Sequence, residues 1–119
     1  MIDMIEPIPY FYESINRNAI VVKPKKPLFD WINFIYPDSP VFEKEEGNIY
    51  LIREMDSNEA IEKWLKRNFD QIFQNELNDW HTDEKDWPQK RTFKMFQEWF
   101  NYEIHSMVLD LEETDITKD

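Results

Sequence analysis

The chain contains no cysteine. Disulfide frameworks, thiolate zinc sites, iron–sulfur clusters and cysteine nucleophiles are thereby excluded. Glycine occurs once, at Gly47, too little for the glycine-rich loops of P-loop or dinucleotide-binding sites. Neither a G-x-S-x-G elbow nor an H-E-x-x-H pair is present. No apolar run approaches the roughly 18 residues that a membrane span needs. The opening residues, MIDMIEPIPYFY, carry acids where a secretory signal has a basic region. Positive charge is scarce as well: 14 Lys and Arg stand against 25 Asp and Glu, a formal net charge of −11. Such a field repels phosphate backbones and anionic lipid surfaces. The one basic cluster, Lys23, Lys25 and Lys26 around Pro24, is no groove-reading element. The expectation is a cytoplasmic protein that engages neither nucleic acid nor membrane.

What is present suits a single domain. The 119 residues are 41% hydrophobic and 16% aromatic, enough to build a core despite 33% charged residues. Six of the seven prolines lie at or before Pro40, so the break signals are front-loaded. Residues 1–17 read as an irregular arm whose Tyr10, Phe11 and Tyr12 dock on the body, residues 18–111 as the domain, and residues 112–119 as a loose acidic tail.

Within the domain, Ala19–Lys23 (AIVVK) is β-branched and stopped by Pro24, the pattern of a strand. Pro27 suits a first helical position, and Leu28–Tyr36 (LFDWINFIY) reads as a short, mostly buried helix ended by Pro37. Asn48–Arg53 (NIYLIR) reads as a second strand. The clearest element follows. Asp56 and Glu59 have the spacing of a capping box. Ile61, Trp64, Leu65, Phe69, Ile72, Phe73, Leu77 and Trp80 then recur at steps of three and four, so residues 57–80 present one apolar face over about 36 Å. Pro88 suits the start of a third helix carrying Phe93, Phe96, Trp99 and Phe100, and Tyr102–Leu111 alternates as a third strand. The order β-α-β-α-α-β predicts an α+β fold: a small, mainly antiparallel three-stranded sheet covered on one face by helices.

Chemistry-bearing residues concentrate in the turn after the long helix. His81, Asp83, Glu84 and Asp86 place one imidazole and three carboxylates within six positions. With His105 brought beneath the turn, His81, Asp83 and Asp86 would suit Zn²⁺, Mn²⁺ or Fe²⁺. The same acids also read as a solvated turn favouring the next helix N-terminus. His105 and Ser106 are neighbours on a strand and point to opposite faces, so they form no dyad. Glu43, Glu45 and Glu46 read as a solvated loop run. Glu76, three residues after Phe73, reads as an acid edging the apolar stripe, with pairing to Lys90 or Arg91 the alternative. No pattern implies a cofactor.

Of five tryptophans, Trp31, Trp64 and Trp99 fall in helical apolar stripes and read as core. Trp80 and Trp87 bracket the acidic turn, either closing the joint between two helices or forming, with Asp83 and Asp86, a surface for cations. The stretches RNAIVVKPKKPLFDWIN and NELNDWHTDEKDWPQKRTFKMFQEWF resemble those of small bacterial proteins without an assigned activity. That resemblance implies a bacterial protein and brings no catalytic residue with it. Together these features point to a non-enzymatic, acidic protein-binding or regulatory module whose partner is a basic protein surface. A small metal-dependent enzyme and a small-molecule-binding domain are the alternatives. So many aromatic residues also raise self-association as an expectation.

Overall fold

A computed structural model of the chain describes residues 12–43 and 46–118. The elements are β1 (Arg17–Pro24), α1 (Lys26–Ile35), β2 (Asn48–Arg53), α2 (Asn58–Trp80), a 3₁₀ turn (Glu84–Asp86), α3 (Phe93–Trp99) and β3 (Phe100–His105). They follow the expected order. The three strands form one antiparallel sheet in the order β2-β1-β3, with the first strand at its centre. Among the described residues no helix is long and apolar enough to cross a membrane.

Strand alternation divides the sheet. Ile20 lies opposite Tyr50 on one side and Ile104 on the other, and this row faces the helices. Ile20, Val22, Ile52 and Phe100 join Ile61, Leu65, Phe73 and Leu77 of α2 and Phe96 of α3 in one core. The intervening positions face away from it: Ile49 and Leu51 are 67% and 44% exposed, and Glu103 and His105 are exposed beside them. The long apolar stripe of α2 is therefore architectural. Trp64, Phe69 and Trp80 at its margins pack on the core while keeping partial exposure, as do Trp31 and Trp99.

Element boundaries differ from the sequence expectation for local reasons. Ser57, not Asp56, caps α2: its hydroxyl accepts from the Ala60 N–H, which leaves Glu59 in the first turn without a reciprocal box. Helix α1 starts at Lys26 and buries only Leu28, Phe29 and Ile32, while Phe34 is 86% exposed. It rests on α3 at the margin of the core, so one side suffices. The third helix begins at Phe93 instead of Pro88. Trp87 turns inward and donates its indole N–H to the His81 carbonyl, and Thr92 then caps α3 by accepting from the Met95 N–H. Strand β3 starts two residues early and stops at His105, beyond which the Asn18 side chain takes the Ser106 carbonyl; past that point the described residues form a single Ser14–Leu109 bridge. In the arm, Tyr10 and Phe11 lie outside the described residues, and Tyr12 is exposed instead of docked. Of the loop acids, Glu45 also lies outside the described residues.

One buried polar residue ties the sheet's ends together. Asn18 donates to the Ser106 carbonyl at 2.8 Å and accepts from the Met55 N–H at 2.8 Å. Replacing it by alanine strands both backbone groups. Asn18→Ala is expected to lower the unfolding free energy by about 2 kcal/mol in a urea titration, and a change below about 0.5 kcal/mol would show that water serves both groups equally well.

Candidate functional site

The acidic turn singled out by sequence is a latch. The His81 ring lies between the Tyr36 hydroxyl, 2.7 Å from Nδ1, and the Asp86 carboxylate, 2.8 Å from Nε2. The Trp31 indole N–H donates to the Asp86 carbonyl at 3.0 Å. Trp87 is only 7% exposed, and the Trp80 ring meets Phe29 edge-on at 5.8 Å. Asp83 caps the 3₁₀ turn, accepting from the Lys85 N–H. Together these contacts fasten the end of α2 to α1.

His105 lies elsewhere. It sits on the sheet face turned away from the helices, its Nε2 3.3 Å from Glu103. The structure thus brings His81 and Asp86 together and separates them from His105 by the sheet. Both His81 ring nitrogens already have protein partners. Among the described residues, no three His, Asp or Glu side chains are arranged to hold a metal ion.

A different carboxylate carries the unusual environment. Glu76 does not edge the stripe; it is 1% exposed, and neither Lys90 nor Arg91 reaches it. Arg91 instead grips Asp70, with Nε 2.7 Å from Oδ1 and Nη2 3.2 Å from Oδ2, and this guanidinium holds the Asp70 carboxyl below the usual range. Glu76 is met from β2. Asn48 and Tyr50, two apart on the strand, point to the same side, and both donate to Glu76 Oε2: Asn48 Nδ2 at 2.7 Å, and the Tyr50 hydroxyl through a short bond. Asn75 donates to the Tyr50 oxygen, and Asn48 also reaches Asp79 at 3.2 Å.

Oε1 of the same carboxylate receives no hydrogen bond from the described residues. No buried side-chain polar atom among them lacks a partner. Oε1 therefore keeps some contact with the surface, and Glu76 lines an adjoining hollow of about 260 Å³ whose walls include Glu46, Gly47, Asp79 and Trp80. Burial pushes the Glu76 carboxyl above its ordinary range, against the opposing effect of the Tyr50 and Asn48 hydrogen bonds. Burial, and then the bond to Glu76, raise the Tyr50 hydroxyl as well, so it stays a donor at neutral pH. The arrangement is a half-satisfied carboxylate at the back of an acidic hollow with an indole beside it.

No family model, curated protein or solved structure matches this chain. The functional reading rests on the geometry of the hollow.

The sequence did carry a trace of this site. Glu76 stands inside the apolar period between Phe73 and Leu77, where an acid is out of place unless something pairs with it. Asn48 and Tyr50, polar side chains on the side of β2 that also carries Ile52, were the matching half of the signal.

Proposed function

We propose that this domain is a non-catalytic recognition module that takes a lysine or arginine side chain of a basic protein into the Glu76 hollow. Glu76 Oε1 carries the reading. A buried carboxylate is costly unless its oxygens are paired, and the donors among the described residues serve only Oε2. A cation at Oε1 completes the set. Asp79 and Glu46 add negative charge around the hollow, and Trp80, an aromatic side chain of the kind that attracts cations, lines it too. The net charge of −11 attracts a basic surface from a distance. Trp80 belongs equally to the patch expected from sequence, and Asp83 and Asp86, exposed on the turn that follows, strengthen the same field.

Calorimetric titration with a tetralysine peptide tests this. Binding is expected, weakening from low to physiological salt, and Glu76→Gln is expected to lower affinity about tenfold. Affinity should also fall as pH drops through the raised range of the Glu76 carboxyl, because protonation removes the acceptor charge. The stability of the free protein runs the other way. Its contribution from Glu76 is present at low pH and lost as pH rises through the folded-state value, so Glu76→Gln should melt higher than the parent at neutral pH and no higher in acid. Equal affinity of the two proteins for tetralysine at neutral pH would remove the proposal, and the melting comparison shows that the variant is folded.

A further inference from the structure

The two edges of the sheet are unlike each other. Strand β3 presents on its outer face His105 and Glu103, the latter a charged residue of the kind that blunts an edge against pairing. Strand β2, NIYLIR, carries its one charge, Arg53, at its end, has neither lysine nor proline within it, and exposes Ile49 and Leu51. Among the described residues, the backbone of residues 48–53 bonds to β1 and to nothing else. Half of its N–H and C=O groups are thus left facing outward.

That open edge borders a seam. Three hollows follow one another between β2 and α2. The Glu76 hollow lies at the start of the strand. The middle one, about 230 Å³, is bounded by Tyr50, Ile52, Trp64 and Gln71. The last, about 560 Å³, shares Arg53 and Trp64 with the middle one and adds Lys63 and Arg67. Arg53, Lys63 and Arg67 take part in none of the ion pairs of the described residues, although Glu54 and Asp56 line the same hollow. The three cations outnumber the two acids that share their hollow. The seam is therefore acidic at one end and basic at the other. Lys63 and Glu76 are about 20 Å apart along α2, and the six residues of β2 span about the same length.

We infer that the β2 edge takes up an extended segment of the basic partner by strand addition, with a lysine or arginine in the Glu76 hollow and a carboxylate about six residues along among Arg53, Lys63 and Arg67. This rests on the cation-recognition reading above and specifies how the partner lies. Main-chain hydrogen bonds supply affinity, and the two charged ends select the segment. Between the ends, alternate side chains of the guest fall beside Ile49 and Leu51, which favours β-branched residues there.

The test uses the whole chain, ¹⁵N-labelled, and a seven-residue peptide with lysine and glutamate at its ends and alternating valine and threonine between. Both sequence orders are offered, since a strand joins an edge in parallel or antiparallel. One order is expected to shift the amides of residues 48–53 and slow their hydrogen exchange. N-methylation of alternate peptide residues should abolish those effects in one of its two registers. Replacing the peptide's glutamate by lysine, or combining Arg53→Glu with Arg67→Glu, should weaken binding about tenfold, with tetralysine binding not weakened by the double variant. All three cations are exposed and outside the ion pairs, so folding is not at stake. Shifts confined to Glu76, Asp79 and Trp80, indifferent to N-methylation, would overturn strand addition and leave cation recognition standing. Loss of tetralysine binding to the parent would remove both. Protection of residues 48–53 that grows with protein concentration alone would show that a second copy occupies the edge, and would also overturn the inference.

Discussion

Phe73→Ala is expected to lower the unfolding free energy by about 4 kcal/mol. Phe73 is fully buried where three elements meet. Its ring lies 5.3 Å from Phe100 of β3, edge-on, and 6.0 Å and 5.7 Å from Phe96 and Trp99 of α3. Truncation removes transfer energy and three ring contacts at once, and leaves a void that rigid neighbours close poorly. A domain of this size has about 5–15 kcal/mol in hand, so the melting temperature should fall by on the order of 20 °C. Phe34, the same residue type on α1, is exposed, and Phe34→Ala should change stability by less than about 0.5 kcal/mol. Urea unfolding of the two variants checks both. A Phe73→Ala cost near that of Phe34→Ala would mean that the ring cluster does not hold α2 to the sheet.

Gly47→Ala is expected to cost about 3 kcal/mol and to spoil the Glu76 hollow as well. The chain's one glycine does not adopt a left-handed conformation. Its requirement is close approach: a Cβ there would press into the Val22 carbonyl oxygen and come within 2.6 Å of Lys23 Cγ. The lysine stem can swing aside, but the β1 backbone cannot without disturbing the centre of the sheet. The loop entering β2 must move instead, carrying Asn48 away from Glu76. Weakened tetralysine binding together with lowered stability is the expected pair of readings. A variant as stable as the parent would show that this loop yields freely.

Most of the fold was legible because its signals are periodic. The α2 stripe from Ile61 to Trp80 repeats at helical spacing for about five turns, and AIVVK and NIYLIR leave little choice but strands. Boundaries were less legible where one side chain decides them. Ser57 and Asp56 are both competent caps, and only the approach of the Ala60 N–H chooses between them. Pro88 permits a helix start, but the inward turn of Trp87 uses those residues first. The site was harder to read than the fold. The residues that look chemical in one dimension, His81 to Asp86, are consumed in latching α2 to α1 through Tyr36 and Trp31. The Glu76 environment joins positions 48, 50 and 76, which meet only once β2 has paired with β1 and α2 has folded across it.

The central strand of the sheet is also the first to be made. β1 lies between two partners, and its outlying contact from Asn18 to Ser106 spans 88 residues of chain. Until β3 has been synthesised, the apolar run of Ala19 to Val22 has at most one neighbour, and the core lacks Phe100. Such a topology couples completion of the domain to its last element. A truncated or stalled product ending before β3 therefore leaves a half-covered, pairing-competent strand, the kind of intermediate that chaperones retain.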